Sequence, residues 1–211
     1  MFRQIIKATL PLTLLALGGI FVSASMNSIG EIRYIIDDAS YLTIEGSSNV
    51  TGFECKCTQD FTPSSLETEV FENGKKALFR GGNLTIRTKS FDCGQKGISK
   101  DMHKALKADN HPYISIEVLE VIQKKQFFRT SNQEWIPMTA KANLTIAKCT
   151  QTLDLQIKGI QVDSGRYRFV CSENVNMTSF NIDPPKPLMG LIKVDDQITI
   201  HLDLIVNLLE V

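Results

Sequence analysis

The sequence predicts an all-β domain of about eight antiparallel strands with one short helix. Apolar and polar residues alternate along many segments, as they do on strands that bury only one face. The continuous apolar runs that buried parallel strands would show are missing after residue 24. Only one stretch has the three-to-four spacing of an amphipathic helix.

The first 24 residues are typical of a secretory signal peptide. Arg3 and Lys7 precede an apolar run from Ala8 to Val22, and Val22-Ser-Ala24 supplies the small residues of a cleavage site. The run has about 15 residues, fewer than the roughly 20 that cross a bilayer as a helix. An uncleaved membrane anchor is the alternative. We therefore expect residues 25–211 to form one periplasmic or secreted domain without a transmembrane segment.

The strands follow one another along the whole of this domain. Turn sequences such as Asn73-Gly74 and Asp163-Ser-Gly165 separate them. Half-buried antiparallel strands in this number form a closed barrel or a two-sheet sandwich, and the pattern alone allows both. The alternating segments span residues 42–44, 53–57, 84–86, 114–118, 138–146, 153–157, 167–171 and 198–206.

A narrow apolar stripe predicts the helix. Ile98, Met102 and Leu106 recur at helical spacing, and Ser99 is the expected amino-terminal cap. His111-Pro112 is expected to close the segment, because proline disfavours helix in the residue before it. We expect this helix to cover one edge or end of the sheet.

Charge and motif content argue against several functional classes. The chain balances 23 basic against 23 acidic residues, so no basic surplus suggests nucleic acid or an anionic membrane surface as a partner. The histidines, His103, His111 and His201, have no ligand spacing with one another or with a cysteine, so no metal is predicted. Glycine-rich phosphate loops and a Gly-x-Ser-x-Gly elbow are absent from the sequence. We therefore expect no cofactor, no catalytic residues and no enzyme activity.

Five cysteines in an exported chain suggest at least one disulfide. Their odd number leaves a thiol that is free or pairs between chains, which allows a homodimer. We hypothesise a bridge between Cys55 and Cys93, because Cys93 follows the strand at 84–86, which should neighbour the Cys55 strand. Cys57 and Cys171 are the alternative partners. An enzyme that uses the thiol of Cys57 or Cys149 is the catalytic alternative.

The order of several motifs resembles the YceI-like family, also called polyisoprenoid-binding domains, over about residues 33–209. Ala39 stands where the family usually has histidine, and Ala147 stands where its central hairpin usually has glycine. The matching segments are Ile36-Asp37 with Ser40 and 42–44, 46–50 with Phe53, 101–103 with Leu106, 111–114, 143–146, 153–155, 179–185, Gly190 and 198–200.

This resemblance implies a lipocalin-like barrel whose elongated apolar lumen holds a long-chain lipid, such as an isoprenoid or fatty acid, without transforming it. An apolar wall stabilises such a tail by roughly 25 cal/mol for each Å² removed from water. A filled barrel with a structural or interaction role in the cell envelope is the alternative. The candidate lipid-binding residues are Leu42, Ile44, Leu84, Ile86, Ile114, Ile116, Val118, Leu144, Ile146, Leu153, Leu155, Ile200, Leu202 and Leu204.

Overall fold

The computed structural model describes residues 28–71, 74–123 and 134–209. The predicted signal peptide therefore lies outside the described residues. Within these three ranges, no helix has both the length and the apolar character needed to cross a membrane.

The described residues form twelve strands and one α-helix, so the predicted all-β class is confirmed. The strands are β1 (Ser28–Ile36), β2 (Tyr41–Ser48), β3 (Gly52–Cys57), β4 (Ser64–Phe71), β5 (Lys76–Arg80), β6 (Asn83–Arg87), β7 (Phe91–Asp92), β8 (Tyr113–Gln123), β9 (Ile136–Ile146), β10 (Cys149–Asp163), β11 (Arg166–Asn176) and β12 (Val194–Leu209). The helix, α1 (Lys96–Ala105), lies between β7 and β8.

Eight strands close into an antiparallel ring in the order β1-β4-β5-β8-β9-β10-β11-β12, with β12 paired to β1. The other four strands extend this ring at one end. β2, β3 and β7 continue from β12, and β6 pairs with β8. Strand β12 serves both parts, because Val206 lies opposite Ile36 of β1 and Ile200 lies opposite Ile44 of β2. The result is a barrel, as the family resemblance implies, although it is not evenly closed; the alternating pattern alone also allowed a sandwich.

The regular alternation of β9 shows how the sequence determines the inner face. Met138, Ala140, Ala142, Leu144 and Ile146 are all buried. The polar residues between them point to the opposite face, because successive side chains on a strand alternate. This strand is thus the most clearly patterned part of the barrel wall.

A side chain covers the edge of β6 that faces away from β8. The amide of Gln59 donates to the Thr85 carbonyl oxygen at 2.8 Å and accepts from the Arg87 backbone N–H at 2.6 Å. These are the two hydrogen bonds that a neighbouring strand would make. Gln59 follows β3 in the chain, so it links the β3 side of the extension to the β6 side.

The predicted helix is present, but Ser99 is not its amino-terminal cap and His111-Pro112 does not mark its end. Gln95 occupies the cap position and makes no side-chain cap hydrogen bond. Ser99 lies in the first turn, where its hydroxyl accepts from the Cys93 N–H at 3.0 Å and donates to Asp92 at 3.2 Å. The helix ends at Ala105, six residues before His111. Ser99 therefore ties the helix to β7 instead of capping it.

The structure contains the hypothesised disulfide between Cys55 and Cys93. The strand that brings the two cysteines together is not the strand that was predicted to do so. β6 pairs with β8, and it is β7 that lies beside β3, with Asp92 opposite Lys56. The bridge spans 38 residues and so stabilises the fold by about 2–4 kcal/mol. Among the described cysteines, Cys57, Cys149 and Cys171 are free.

Candidate functional site

The barrel interior brings together 13 of the 14 apolar residues that the sequence predicts for a lumen. All 13 are in one continuous apolar cluster, which we call the inner cluster. It also contains residues that the prediction omitted, including Ala140 and Ala142, which are essentially fully buried.

Leu204 is the predicted lumen residue that lies outside the inner cluster. It is half-buried and lies opposite Phe169 of β11. Pairing of β12 with β2 ends at Asp203, so Leu204 belongs to the part of β12 that continues toward β1. The alternation of apolar and polar residues predicts which face of β12 Leu204 lies on, but it does not predict how far the inner cluster extends along that strand.

The inner cluster is closely packed. It encloses a cavity of about 20 Å³, which is the room of roughly one water molecule. Six of the predicted lumen residues contribute to its wall. The wall consists of Ile116, Ala142, Leu144, Leu153, Leu155, Cys171, Glu173, Ile200 and Leu202.

This cavity lies where two neighbouring strands of the ring separate. β10 pairs with β11 only from Ile157 opposite Cys171 to Asp163 opposite Arg166. Beyond that point, residues 149–156 of β10 are paired with β9 and residues 172–176 of β11 are paired with β12. We call the unpaired stretch between them the seam. Leu153 and Leu155 line the cavity on one side of the seam, and Glu173 lines it on the other.

Two polar groups of β11 face this seam cavity. Glu173 shares its strand face with Tyr167, Phe169 and Cys171, so a half-buried carboxylate occupies an inward position among apolar neighbours. Burial raises the pKa of the Cys171 thiol to about 11, and the negative charge of Glu173 adds to this effect. Cys171 is therefore a protonated, weakly nucleophilic thiol at neutral pH, which is the opposite of an activated cysteine. The sequence analysis considers Cys171 only as a disulfide partner and does not name Glu173, although a charged residue among apolar residues of the same strand face could have indicated it.

A second concavity, which we call the outer groove, lies on the other face of the same strands. Its volume is about 800 Å³, and Cys171 and Leu202 contribute to its wall as well as to the wall of the seam cavity. The groove therefore adjoins the seam cavity across the sheet. Its lining residues are Tyr41, Thr43, Glu45, Glu54, Lys56, Gln156, Lys158, Val170, Cys171, Ser172, His201, Leu202 and Asp203.

Charged partners along the outer groove are mutually compensated. Arg168 donates two hydrogen bonds to the Asp203 carboxylate, at 2.7 and 2.5 Å, and these hydrogen bonds lower the pKa of Asp203. His201 lies between the Ser172 hydroxyl, 2.7 Å from Nδ1, and the Glu45 carboxylate, 3.2 Å from Nε2. The described residues contain no group of three or more side chains that could hold a metal ion. The groove is thus a polar surface of mixed charge.

Comparison with solved structures places the fold among known domains. A polyisoprenoid binding domain from Saccharophagus degradans, implicated in plant cell wall breakdown, has a TM-score of 0.63 and 13% sequence identity. The alignment covers 82% of this chain and 97% of that domain. The Burkholderia cenocepacia protein BcnA has a TM-score of 0.53 and 14% identity, with 81% and 98% of the two chains covered. Identities this low support a shared fold.

Sequence comparison identifies the family. No curated protein matches the sequence at a significant level. The sequence model of the YceI-like domain matches residues 34–206, which is most of the chain and all of the barrel from the end of β1 to β12. The resemblance carried by the motif order is therefore confirmed, and the chain belongs to the YceI-like domain family.

Proposed function

We propose that this chain is an exported carrier that binds the tail of a long-chain amphipathic lipid, of isoprenoid or fatty-acyl type, inside its barrel. The observation that carries the proposal is the convergence of 13 predicted lumen residues into one apolar cluster. Membership of the YceI-like family supports it, as does the shared fold with a domain described as polyisoprenoid binding. A tail needs no polar partner, so an aliphatic wall is a sufficient site for it.

The seam is the route by which a tail reaches this interior. A cavity of about 20 Å³ holds no alkyl chain, so binding requires the wall to open. Moving β10 away from β11 along the seam breaks none of the hydrogen bonds of a strand ladder, because residues 149–156 and 172–176 share none. Leu153 and Leu155 would then contact the tail first. Pockets of this kind are minor conformations that a ligand stabilises.

The outer groove is the site that we assign to the polar headgroup. It adjoins the seam cavity at Cys171 and Leu202, so a tail in the seam would leave its head at the groove. Lys158 and Lys56 supply donors there, with Lys56 already 3.1 Å from the Glu54 carboxylate, and the Glu45 and Glu54 carboxylates supply acceptors. The mixed charge favours a headgroup with both donors and acceptors.

Native mass spectrometry of the protein purified from its own source tests the proposal directly. We expect one lipid per chain, released by organic extraction, and an amino terminus at Ser25 if residues 1–24 are removed on export. In reconstitution with single-chain lipids, affinity should increase about fourfold for each added methylene, because each buried CH₂ contributes about 0.8 kcal/mol. Affinity that does not depend on chain length would contradict tail binding.

A matched pair of variants tests the position of the site. Leu153→Glu places a carboxylate at the seam, where it can reach water, so the fold should survive while lipid affinity drops about tenfold or more. Leu66→Glu is the control, because Leu66 is half-buried on β4 and lies outside both apolar clusters of the described chain. Equal affinity in the two folded variants would show that the tail does not lie at the seam.

A filled barrel with an interaction role is the second candidate function, and the small volume of the cavity favours it. Closely packed interiors leave few voids larger than a water molecule. The two functions differ in one measurement. Protein that carries no extractable lipid, and that binds none on reconstitution, is a filled barrel.

A further inference from the structure

Four large apolar side chains protrude together from one end of the barrel. Leu188 is 66% exposed, Met189 is 106% exposed and Leu191 is 76% exposed, all in the segment between β11 and β12. Val50, in the turn between β2 and β3, is 65% exposed. We call these four residues the tip. Exposure above that of an isolated residue means that Met189 contacts almost nothing in the described chain.

The backbone holds the tip in a defined shape. Leu188, Met189 and Gly190 all have positive φ values, of 52°, 55° and 88°. For leucine and methionine this left-handed conformation is unfavourable, so the backbone hydrogen bonds of the segment must hold it. Gly190 N–H donates to the carbonyl oxygens of Lys186 and Pro187, and Leu191 N–H donates to that of Leu188.

Asn49 fastens the two parts of the tip to each other. Its side-chain amide donates to the Leu191 carbonyl oxygen at 3.1 Å and accepts from the Lys193 N–H at 2.7 Å. Its own backbone N–H donates to the Lys193 carbonyl oxygen at 3.0 Å. These three bonds place Val50 beside the Leu188–Leu191 segment. The apolar side chains are therefore held in position before they meet any partner.

The tip lies at the same end of the barrel as the seam. β11 runs toward this end through residues 172–176, and the short 3-10 helix Met177–Phe180 follows it directly. Phe180 and Ile182 are buried in the inner cluster, so this segment closes the end of the barrel from which Leu188 and Met189 project. A surface that received the tip would face the end at which the seam opens.

The charged side chains nearest to the tip along the chain are two exposed lysines, Lys186 and Lys193. The carboxylates of Asp183 and Asp195 lie just outside this segment, and that of Asp195 accepts a hydrogen bond from the Ser47 hydroxyl. Apolar side chains flanked by lysines are typical of segments that lie in the headgroup region of a bilayer. A stable protein interface would need about 800 Å² from each partner, whereas the tip offers four separate side chains on a protrusion.

We infer that the tip docks this protein on a lipid bilayer, with Leu188, Met189, Leu191 and Val50 in the interfacial region and Lys186 and Lys193 against anionic headgroups. This inference goes beyond the proposed function, because docking requires no lipid in the barrel. It also gives the seam an orientation toward the membrane.

The first test is binding to vesicles made of equal parts of phosphatidylcholine and phosphatidylglycerol. The variant L188S/M189S/L191S should partition into these vesicles roughly 100-fold less than the parent protein, because each of the three side chains contributes several-fold. The variant K186Q/K193Q should bind the same vesicles roughly 20-fold less tightly than the parent, while its affinity for vesicles of pure phosphatidylcholine should change little. Both variants change only exposed side chains, so circular dichroism should show the parent fold.

A local probe makes the result independent of residues 1–24, whose apolar run would itself bind vesicles if retained. Trp135 is the single tryptophan of the chain, so W135F/M189W carries one fluorophore at the tip. Brominated lipids should quench it strongly. The control W135F/V162W carries its fluorophore beside the β10–β11 turn, at the other end of β11, and should not be quenched.

Three outcomes would overturn the inference: no quenching at position 189, equal quenching at positions 189 and 162, or vesicle binding unchanged in the serine variant. Concentration-dependent dimerisation that the serine variant abolishes, without vesicle binding, would instead make the tip a contact between copies. The Leu153→Glu variant separates this inference from the proposed function. It should lose affinity for lipid tails while its vesicle binding stays at the level of the parent.

Discussion

At the scale of single residues, the ion pair beside the outer groove is the most defined electrostatic feature of the molecule. Asp203 is 7% exposed on β12, and the guanidinium of Arg168 on β11 binds both of its oxygens. These hydrogen bonds lower the pKa of the carboxyl, burial opposes them, and a hydrogen bond from Tyr41 assists. A carboxyl whose pKa is lower in the folded state stabilises that state above its unfolded pKa.

The substitution Asp203→Asn should therefore lower the free energy of unfolding by an amount that depends on pH. Near neutral pH we expect it to lower the free energy of unfolding by about 1–2 kcal/mol, because Arg168 loses a charged partner and is itself partly solvated. The parent loses the same stabilisation as the pH falls through the lowered pKa of Asp203, so the difference should vanish in strong acid. Urea unfolding at several pH values measures this. Asp154→Asn is the control, because the Asp154 carboxylate is exposed on β10. If the two substitutions lower the free energy of unfolding equally at neutral pH, the ion pair of Asp203 with Arg168 does not stabilise the fold.

Residue alternation predicts the direction of side chains well and their surroundings less well. It correctly places Ile116, Leu144 and Leu155 in the interior, because strand periodicity is local. It does not show that Glu173 shares the interior face, because a search for alternating apolar residues ignores the one charged residue among the inward positions of β11. Leu204 lies outside the inner cluster for a different reason, because the limit of that cluster depends on which strand is paired with β12 at that point.

At the scale of secondary structure elements, the β9–β10 hairpin departs from the usual chemistry of its turn. Ile146 pairs with Cys149, so Ala147 and Lys148 form a two-residue loop. Their φ values are 48° and 67°. Two positive values are the signature of a type I′ turn, in which glycine is strongly preferred at the second position. Ala147 also stands where the family usually has glycine.

Replacing Lys148 by glycine should therefore stabilise the protein. We expect the free energy of unfolding to rise by about 1 kcal/mol, because glycine adopts positive φ without the steric cost that lysine bears. Lys141→Gly is a matched control on the same hairpin. There the residue is an exposed position within β9, where glycine should cost about 0.5–1 kcal/mol. Thermal or urea unfolding of the two variants should shift in opposite directions, and a shift in the same direction would contradict the turn assignment.

The eight predicted strand segments all fall within observed strands, whereas β1, β4, β5 and β7 were not predicted. Strand β4 shows why, because its buried position is Thr68, a polar residue that weakens the apolar alternation. β7 has only two residues, which is too short for a period to be visible, and in β5 three apolar residues, Ala77, Leu78 and Phe79, follow one another without alternation. The sequence also could not show that β7, and not β6, lies beside Cys55.

At the scale of the whole molecule, the proposed functional features are concentrated at one end of the barrel. The tip, the seam and the buried end formed by Phe180 and Ile182 all lie there, while the β10–β11 turn marks the other end. Ring closure and the seam depend on which distant strands pair, and for how many residues. Periodicity does not contain that information, so the sequence could predict an apolar interior but not the place where β10 and β11 separate.

The seam leads to a distinct pattern of amide hydrogen exchange. Residues 166–171 of β11 have paired strands on both sides, whereas residues 172–176 are paired with β12 only. Backbone N–H groups of a strand point alternately to its two neighbours. Every second amide from 172 to 176 should therefore exchange at least about tenfold faster than the amides of 166–171, because it has no ladder partner.

Binding of a long-chain lipid should change exchange at the seam without protecting the far end. A tail between β10 and β11 excludes water from the amides of residues 172–176, so their exchange should slow. The exchange of residues 166–171 should not change, because that segment is already paired with a strand on each side. The Leu153→Glu variant should show the fast pattern with or without lipid. Mass spectrometry of peptic fragments resolves these segments. Uniform protection along β11 in the lipid-free protein would mean that the seam is closed in solution, and a lipid effect confined to the far end would place the tail elsewhere.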